Sequence, residues 1–462
     1  MPVGLPEEIK TEGKDAERVP LLSRRFLTQK FFPWAMKGGL ALLDFGLYSG
    51  SNFLLGILLA RWMAPEQYGA YALVFSIFIL VTFLYQAMLL EPLSVFSGTT
   101  YSGNLRGYLK SNFWLHWGVS AIICTVMAIT AIVARHYSHT AAMAFAGMTA
   151  ATPFILIHAL GRRSFYLKLS PGPAAFGSSF YCVLVVSGCF LVYKLGWLTA
   201  FSAFLVMGFA ALVGGIIMFF QLQAKLEPAT AEMLLSTTLK KHWEYGKWAL
   251  GTCIVGWIPT YVYIPLVSKF SGLAVTAELR ALMNLGGPVL QTYAALSMLF
   301  LPMAARIQGT QGAQASKAVA RKLTALFVFG ALAYWVVLIP LRRPVFDLLY
   351  AGKYMDASSL LPLFAAETII WSAALGPAIV LRAMEYPRSL FFANGAASIV
   401  AIVVGIPATR YFGLHGVIWS MVLANLLYVA VAFVMLQRKL AALKTAPREV
   451  PVVARQAEEG AF

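Results

Sequence analysis

Apolar runs of about 20 residues, separated by short polar stretches, fill most of this chain. Twelve can be read, at approximately 38–60, 69–90, 113–134, 141–160, 174–193, 197–220, 248–268, 281–304, 323–341, 358–381, 389–409 and 413–436. Each is long enough to cross about 30 Å of hydrocarbon as a helix. Most carry no Asp, Glu, Lys or Arg in their interior. The pattern predicts an all-α polytopic membrane protein of about twelve transmembrane helices. The longest internal polar stretch, Gln221 to Gly246, divides the spans six and six. The expected organisation is a tail (1–35), a six-helix lobe (36–223), a linker (224–246), a second six-helix lobe (247–437) and a C-terminal tail (438–462). Two sets of six spans in the same orientation imply lobes related by a parallel pseudo-two-fold along the membrane normal.

The first span is the most informative. At 100° per residue, Lys37, Asp44, Tyr48 and Asn52 fall within one narrow sector. Gly46 and Gly50 lie roughly opposite, in GxxxG spacing, and are expected to pack closely against another helix. A charge such as Asp44 at mid-membrane costs about 2.5–3.5 kcal/mol on insertion scales. Such a residue faces a cavity or a partner, so this helix reads as the wall of a polar compartment.

Composition supports the membrane reading: 60% of the 462 residues are hydrophobic, 12% are charged, and mean hydropathy is +0.73. The net charge of +17 is explained by its distribution, not by nucleic acid as a partner. About three quarters of the 36 Lys and Arg fall on the N-terminal side of the predicted topology, counting Arg162 and Arg163 as loop residues there. By the positive-inside rule both tails are cytoplasmic. The end of the first tail is amphipathic, with Leu21, Leu22, Phe26, Phe31 and Phe32 beside Arg24, Arg25 and Lys30, and suits membrane lipid at the bilayer surface. Cys124, Cys182, Cys189 and Cys253 sit inside apolar runs and read as packing residues rather than disulfides. An isolated His136-x-x-His139 is weak evidence for a metal, and no metal site is expected.

At the end of the first span the chain reads Leu59-Ala60-Arg61-Trp62-Met63-Ala64-Pro65-Glu66-Gln67-Tyr68-Gly69-Ala70-Tyr71-Ala72-Leu73. This resembles the AR-x-L-G-P-E-x-Y-G-x-x-A-L segment of bacterial polysaccharide-export flippases. Those proteins move O-antigen-type lipid-linked oligosaccharides and belong to the multidrug/oligosaccharidyl-lipid/polysaccharide exporter superfamily. Gln86 to Glu91-Pro92, Leu301-Pro302 to Arg306, and Leu349-Tyr350 to Gly352-Lys353-Tyr354 agree with it. The likeness runs from about residue 36 to 437, departing with Met63-Ala64 where the family often has Leu-Gly. In physical terms Arg61, Pro65, Glu66, Tyr68, Gly69 and Glu91 are boundary and turn residues, Pro65 suiting a first helical turn.

A sugar headgroup cannot cross hydrocarbon unaided, so such a protein must supply a hydrated cavity open to one side at a time. Fixed cations would hold the pyrophosphate. The resemblance implies a cavity between the first two spans of each lobe, which makes Lys37, Lys247 and Arg280 the cation candidates. Asn284 and Gln291 share a face with Arg280, while Tyr48 and Asn52 share one with Asp44. Lys37 and Lys247 also fit a snorkelling role at helix ends. No phosphate-binding loop GxxxxGK[ST] is present, so an ion gradient is the expected driver, H+ or Na+, with no other cofactor. Asp44 and Glu367 are the candidate coupling carboxylates. Asp44 fits equally a packing ion pair, and Glu367 with Asn394 and Asn425 either a second polar site or helix-to-helix hydrogen bonds. Trp243, Trp248, Trp257, Tyr261 and Tyr263 suit sugar stacking or, more economically, interfacial belts.

The expectation is a monomeric inner-membrane flippase, not an enzyme, whose partners are the lipid-linked oligosaccharide and the polysaccharide polymerase and chain-length machinery. The main competitor is a multidrug/cation antiporter of the same superfamily, and a lower one is a membrane polymerase or ligase.

Overall fold

A computed structural model describes residues 32–225 and 234–445. The amphipathic tail end up to Phe31, the middle of the linker and most of the C-terminal tail lie outside the described residues. Every described element is helical: α1 (Phe32–Trp62), α2 (Pro65–Tyr85), α3 (Glu91–Gly98), α4 (Leu105–Ala134), α5 (His139–Leu167), α6 (Pro171–Lys194), α7 (Ala200–Lys225), α8 (Leu235–Tyr261), α9 (Tyr263–Phe270), α10 (Leu273–Leu338), α11 (Arg342–Tyr350), α12 (Leu361–Ala373), α13 (Leu375–Ala383), α14 (Arg388–Val403) and α15 (Gly405–Thr445).

These helices make twelve crossings. At 1.5 Å per residue, the 66 residues of α10 are too many for one, and Gly312 divides them with φ 74° and ψ −162°, a left-handed conformation open to glycine. Gly413 does the same in α15 at φ 55°. Helices α8 and α9 are one span bent by 51°. Local sequence sets the starts. Pro65 begins α2 after an extended Ala64, where its missing N–H is not needed. The Asn104 side chain caps Gly107 N at 3.2 Å, and Ser138 caps Ala141 N at the same distance.

The second crossing is longer than its apolar run predicts. Pro92 has no N–H to give Met88, so the chain widens into a π-helical turn at Gln86–Leu90 and continues as α3.

The first six crossings pack as one lobe, with α1 on α6 and α5 on both α4 and α7. The last six form a second, with α10 on α12 and α13, and α15 on α12 and α14. The lobes meet along α2, which lies between α8 and α10. At its start α2 touches α10 backbone to backbone: a Cβ on Gly69 would stand 1.8 Å from the Leu273 carbonyl oxygen. The close-packing role expected for Gly46 and Gly50 is not what they do. A Cβ on either would meet nothing within 4 Å, because α6 packs on a different face of α1. Both line a shallow apolar groove of about 320 Å³ with Leu54 and Cys182.

The four cysteines are free. Trp243 and Trp248 point outward, whereas Trp257 crosses between lobes and donates to the Ser76 carbonyl at 2.9 Å.

These contacts fix an expected contrast. Gly69→Ala should lower the thermal unfolding midpoint of the purified protein, by the equivalent of about 1–3 kcal/mol of overpacking. Gly46→Ala and Gly50→Ala should leave it unchanged or raised, since alanine favours helix by up to about 1 kcal/mol. Equal losses at all three positions would show that Gly46 and Gly50 are packed after all.

Candidate functional site

Three polar places lie at membrane depth. For reference, the N-terminal side is the one on which α1 begins, and the far side is where α1 ends.

The first place is inside the first lobe. Asp44, Tyr48 and Asn52 stack on one face of α1, as their spacing predicts. Opposite them His158, Arg162 and Tyr166 stack at the same spacing on α5, and Ser178 and Tyr181 come from α6. Arg162 grips the Asp44 carboxylate with Nη2 at 2.7 Å and Nε at 3.1 and 3.3 Å. Tyr166 donates to it at 2.6 Å and Ser178 at 2.5 Å. Asp44 is fully buried. Its charge is met by a guanidinium and two hydroxyls, which offset the cost of burying it. The Arg162 guanidinium also lies 4.2 Å from the Tyr48 ring centre, and Tyr181 donates to Asn52 at 3.0 Å.

Arg162 is thus not the loop cation its position after the fourth apolar run suggested. Helix α5 runs on to Leu167, and the buried carboxylate provides the reason an arginine stays at this depth. Repetition of polar groups at His158, Arg162 and Tyr166 was the signal available in the sequence. Lys37 remains half-buried on the Asp44 face, about 10 Å nearer the start of α1. Beside the ion pair, a cavity of about 330 Å³ is lined by Tyr48, Gln86, Arg162, Arg163 and Tyr166. Arg163 donates to Ser94 at 2.6 Å.

The second place is inside the other lobe. Glu367, Asn394 and Asn425, on three different helices, line one cavity of about 150 Å³. The Glu367 carboxylate accepts from Asn425 Nδ2 at 2.7 Å and from the Thr368 hydroxyl at 3.0 Å. Among the described residues no cation lies within ion-pair distance of Glu367.

The third place is the seam between lobes. Arg280 lies 5.7 Å from the Phe75 ring centre, within electrostatic reach of the Tyr68, Tyr71 and Tyr261 hydroxyls. Its Nε is buried without a hydrogen-bond partner. No carboxylate among the described residues pairs with it. One turn on, Asn284 donates to the Tyr68 hydroxyl at 2.8 Å. A turn further, a Cβ on Gly287 would press on the Phe53 ring at 2.6 Å. Beyond that pair, toward the N-terminal side, Gln291 is exposed and Gly50 is open. Lys247 does not join this group. It is exposed at the other end of its span, 5.8 Å from the Trp248 ring centre.

Two further sets of contacts join the lobes, one at each end of the seam. On the far side the Lys353 ammonium donates to the carbonyls of Arg61 and Met63, both at 2.7 Å, and Tyr354 to that of Ala60 at 3.4 Å. Arg61 in turn donates to the Leu348 carbonyl. Burial, and then the Arg61 guanidinium, hold the Lys353 ammonium below the usual lysine range. Glu66 is exposed in the first turn of α2, where its charge suits the helix dipole. Near the N-terminal side, the Met88 carbonyl released by Pro92 lies 3.1 Å from His242 Nδ1. His242 Nε2 lies 2.7 Å from the Tyr108 hydroxyl. Glu91, half-buried at the π-turn, accepts weakly from Gln86 at 3.5 Å.

No family model and no curated protein matches the sequence. Solved structures do match in fold. The chain has the fold of transporters of the MOP superfamily, two six-helix lobes in a multi-pass membrane protein. One such structure is the inward-facing conformation of a multidrug resistance MATE family transporter, 14% identical, covering 88% of this chain and 100% of that one, with a TM-score of 0.71. An outward-facing conformation of a transporter of that family is 15% identical over 88% and 95% of the two chains, with a TM-score of 0.60. The lipid II flippase MurJ in its inward closed conformation is 17% identical over 86% and 87%, with a TM-score of 0.66.

The ion pair makes a direct prediction. Asp44→Ala or Arg162→Ala alone leaves a buried charge uncompensated and should cost about 3–5 kcal/mol of stability. The double variant should lose well under the sum, by at least about 1 kcal/mol. Unfolding of the purified protein measures it, and additive losses would mean the two groups do not act as a pair.

Proposed function

We propose that the protein is a flippase that carries a polyprenyl-pyrophosphate-linked oligosaccharide, the repeat unit of a surface polysaccharide, across the bacterial inner membrane. Its termini lie in the cytoplasm, and an ion gradient drives alternating access. The observation that carries this reading is Arg280, a cation at membrane depth with a buried Nε that has no hydrogen-bond partner, and with no carboxylate among the described residues to neutralise it. A buried guanidinium nitrogen without a hydrogen-bond partner is costly, and a phosphate oxygen is the group it pairs with best. The carboxylate of the first lobe cannot compete for it, because Asp44 is already held by Arg162. Arg163 lines the neighbouring cavity and adds positive potential on the path from the cytoplasm.

In the seam between α1 and α10, Gly287 closes on Phe53 and Asn284 lies against Gly56, whereas Gln291, toward the N-terminal side, is exposed. A headgroup enters there while its polyprenyl tail stays in the bilayer. Transport to the far side then requires the Lys353 latch to release. Of the two candidate coupling carboxylates, Glu367 is the better placed. It lines a cavity with Asn394, Asn425 and Thr368 and has no cationic partner, so it can take up H+ or Na+. Asp44 serves as the anchor of the first lobe. The polymerase and chain-length machinery would receive the product on the far side.

A second reading has its own support. The same fold is found in multidrug transporters, and Glu367 in a half-polar cavity would suit a small organic cation. That reading leaves Arg280 unexplained.

Lipid extracts from cells lacking the protein separate the two. Accumulated polyprenyl-pyrophosphate oligosaccharide with loss of surface glycan is the expected result. Intact glycan with raised sensitivity to cationic drugs would support the antiporter. Arg280→Ala should insert normally and fail to restore glycan, and full restoration would remove Arg280 from the site. Glu367→Gln should insert normally yet abolish the dependence of transport on the ion gradient; unchanged pH and sodium responses would exclude it as the coupling group.

A further inference from the structure

The cavity of about 330 Å³ beside the Asp44–Arg162 pair lies between α1, α2 and α5. Tyr48, Phe83 and Tyr166 give its lining aromatic surface, and Thr82, Gln86 and Arg163 give it polar groups. Apolar walls with a few placed polar groups are the usual make-up of a small-molecule site. Arg163 is half-buried, and its Nε donates to the Ser94 hydroxyl at 2.6 Å. That bond orients the guanidinium and uses one of its five donors, none of them on an Nη group. Glu91, which accepts weakly from Gln86 at 3.5 Å, lies outside the lining. Helix α2 joins this cavity to the seam. Phe75, Thr82 and Gln86 fall on one of its faces at 100° per residue. Phe75 lies against Arg280, and Thr82 and Gln86 line the cavity. From Phe75 to Gln86 the helix rises about 16 Å. Arg280 and Arg163 therefore stand toward opposite ends of one face, further apart than the two phosphates of a single pyrophosphate.

We propose that this cavity is a subsite for an acidic sugar of the cargo, a uronate whose carboxylate is gripped by Arg163; the proposal rests on the flippase reading above. The pyrophosphate stays at Arg280. The apolar face of the sugar ring lies on the aromatic surface, and Thr82 and Gln86 bond its hydroxyls. A planar guanidinium matches a carboxylate with two parallel hydrogen bonds, a match that a neutral sugar hydroxyl lacks. The neighbours Arg162 and Arg163 then have different tasks. Arg162 is engaged by Asp44 and holds the lobe together, whereas Arg163 reads the cargo.

Native mass spectrometry of the full chain with three probes tests this. They are undecaprenyl pyrophosphate, the same lipid carrying a disaccharide whose second sugar is glucuronate, and the same disaccharide lipid with glucose in that place. Wild type should bind the glucuronate lipid about tenfold more tightly than the glucose lipid. Arg163→Gln should lose that preference and bind undecaprenyl pyrophosphate as wild type does. Gln86→Leu should weaken both disaccharide lipids alike and keep the preference. Arg280→Ala should weaken all three probes. Equal binding of the two disaccharide lipids by wild type, or a preference that survives in Arg163→Gln, would overturn the acidic-sugar subsite and leave the flippase reading standing. Loss of all three probes in Arg163→Gln would assign that residue to the fold through Ser94 and overturn it as well. If wild type binds none of the probes, the flippase reading falls and this proposal with it.

Discussion

Hydrocarbon gives polar groups no partners, so each one at membrane depth must find its own. This constraint sorts the charged residues of the chain into two kinds. Asp44 finds a guanidinium and two hydroxyls and is finished as a structural element. Arg280 finds aromatic faces and hydroxyls but no carboxylate, and its Nε finds nothing. A pair like the first is neutral to its surroundings and tells little about cargo. A group like the second keeps its field, and under the proposed function an anion entering the seam would complete it.

The same constraint governs the backbone where the lobes join. A helix that ends, or that meets a proline, leaves carbonyls without N–H partners. The lobe-to-lobe contacts at the two ends of the seam use such carbonyls. At the end of α1 they are those of Ala60, Arg61 and Met63, taken by Tyr354 and Lys353. At the π-turn it is that of Met88, approached by His242. The two differ in mobility. Lys353 is one flexible side chain from a loop, and its contacts can be exchanged for water at the membrane surface. His242 is buried between Met88 and Tyr108, and one turn away Gly246 lies so close that a Cβ on it would stand 2.9 Å from the Ala87 carbonyl oxygen. Under the proposed alternating access, the first would serve as a latch and the second as a pivot.

Much of this could be read from the sequence, for identifiable reasons. The spans were legible because apolar runs of fixed length have few other uses. The Asp44, Tyr48 and Asn52 face followed from helical period alone, and Glu367, Asn394 and Asn425 stood out as polar groups far from any span end. What could not be read depended on tertiary context. Arg162 looked like a loop residue because hydropathy ends a span at the first charge, whereas a buried partner lets the helix carry that charge inward. Gly46 and Gly50 show the reverse: small residues permit close approach but do not cause it. Lys353 sits in a short loop whose importance comes only from the helix end it reaches. Proline 92 was visible, but the carbonyl it frees matters only because His242 lies opposite.

A rocking motion needs one edge that holds and one that yields, and α2 is where both requirements meet. Its start is pressed against α10 at Gly69, with no room for a side chain, so that contact is either made or lost as a whole. Near its other end it widens at the π-turn, where the helix already tolerates a departure from regular hydrogen bonding. Breaking the Gly69 contact costs packing at a single point. Bending at Gln86–Leu90 costs little, because the regular ladder is interrupted there by Pro92. Rotation about the His242 pivot would therefore open the far side first at Gly69 and Lys353, exposing Arg280, two turns below Leu273, to that side with the least disruption of either lobe.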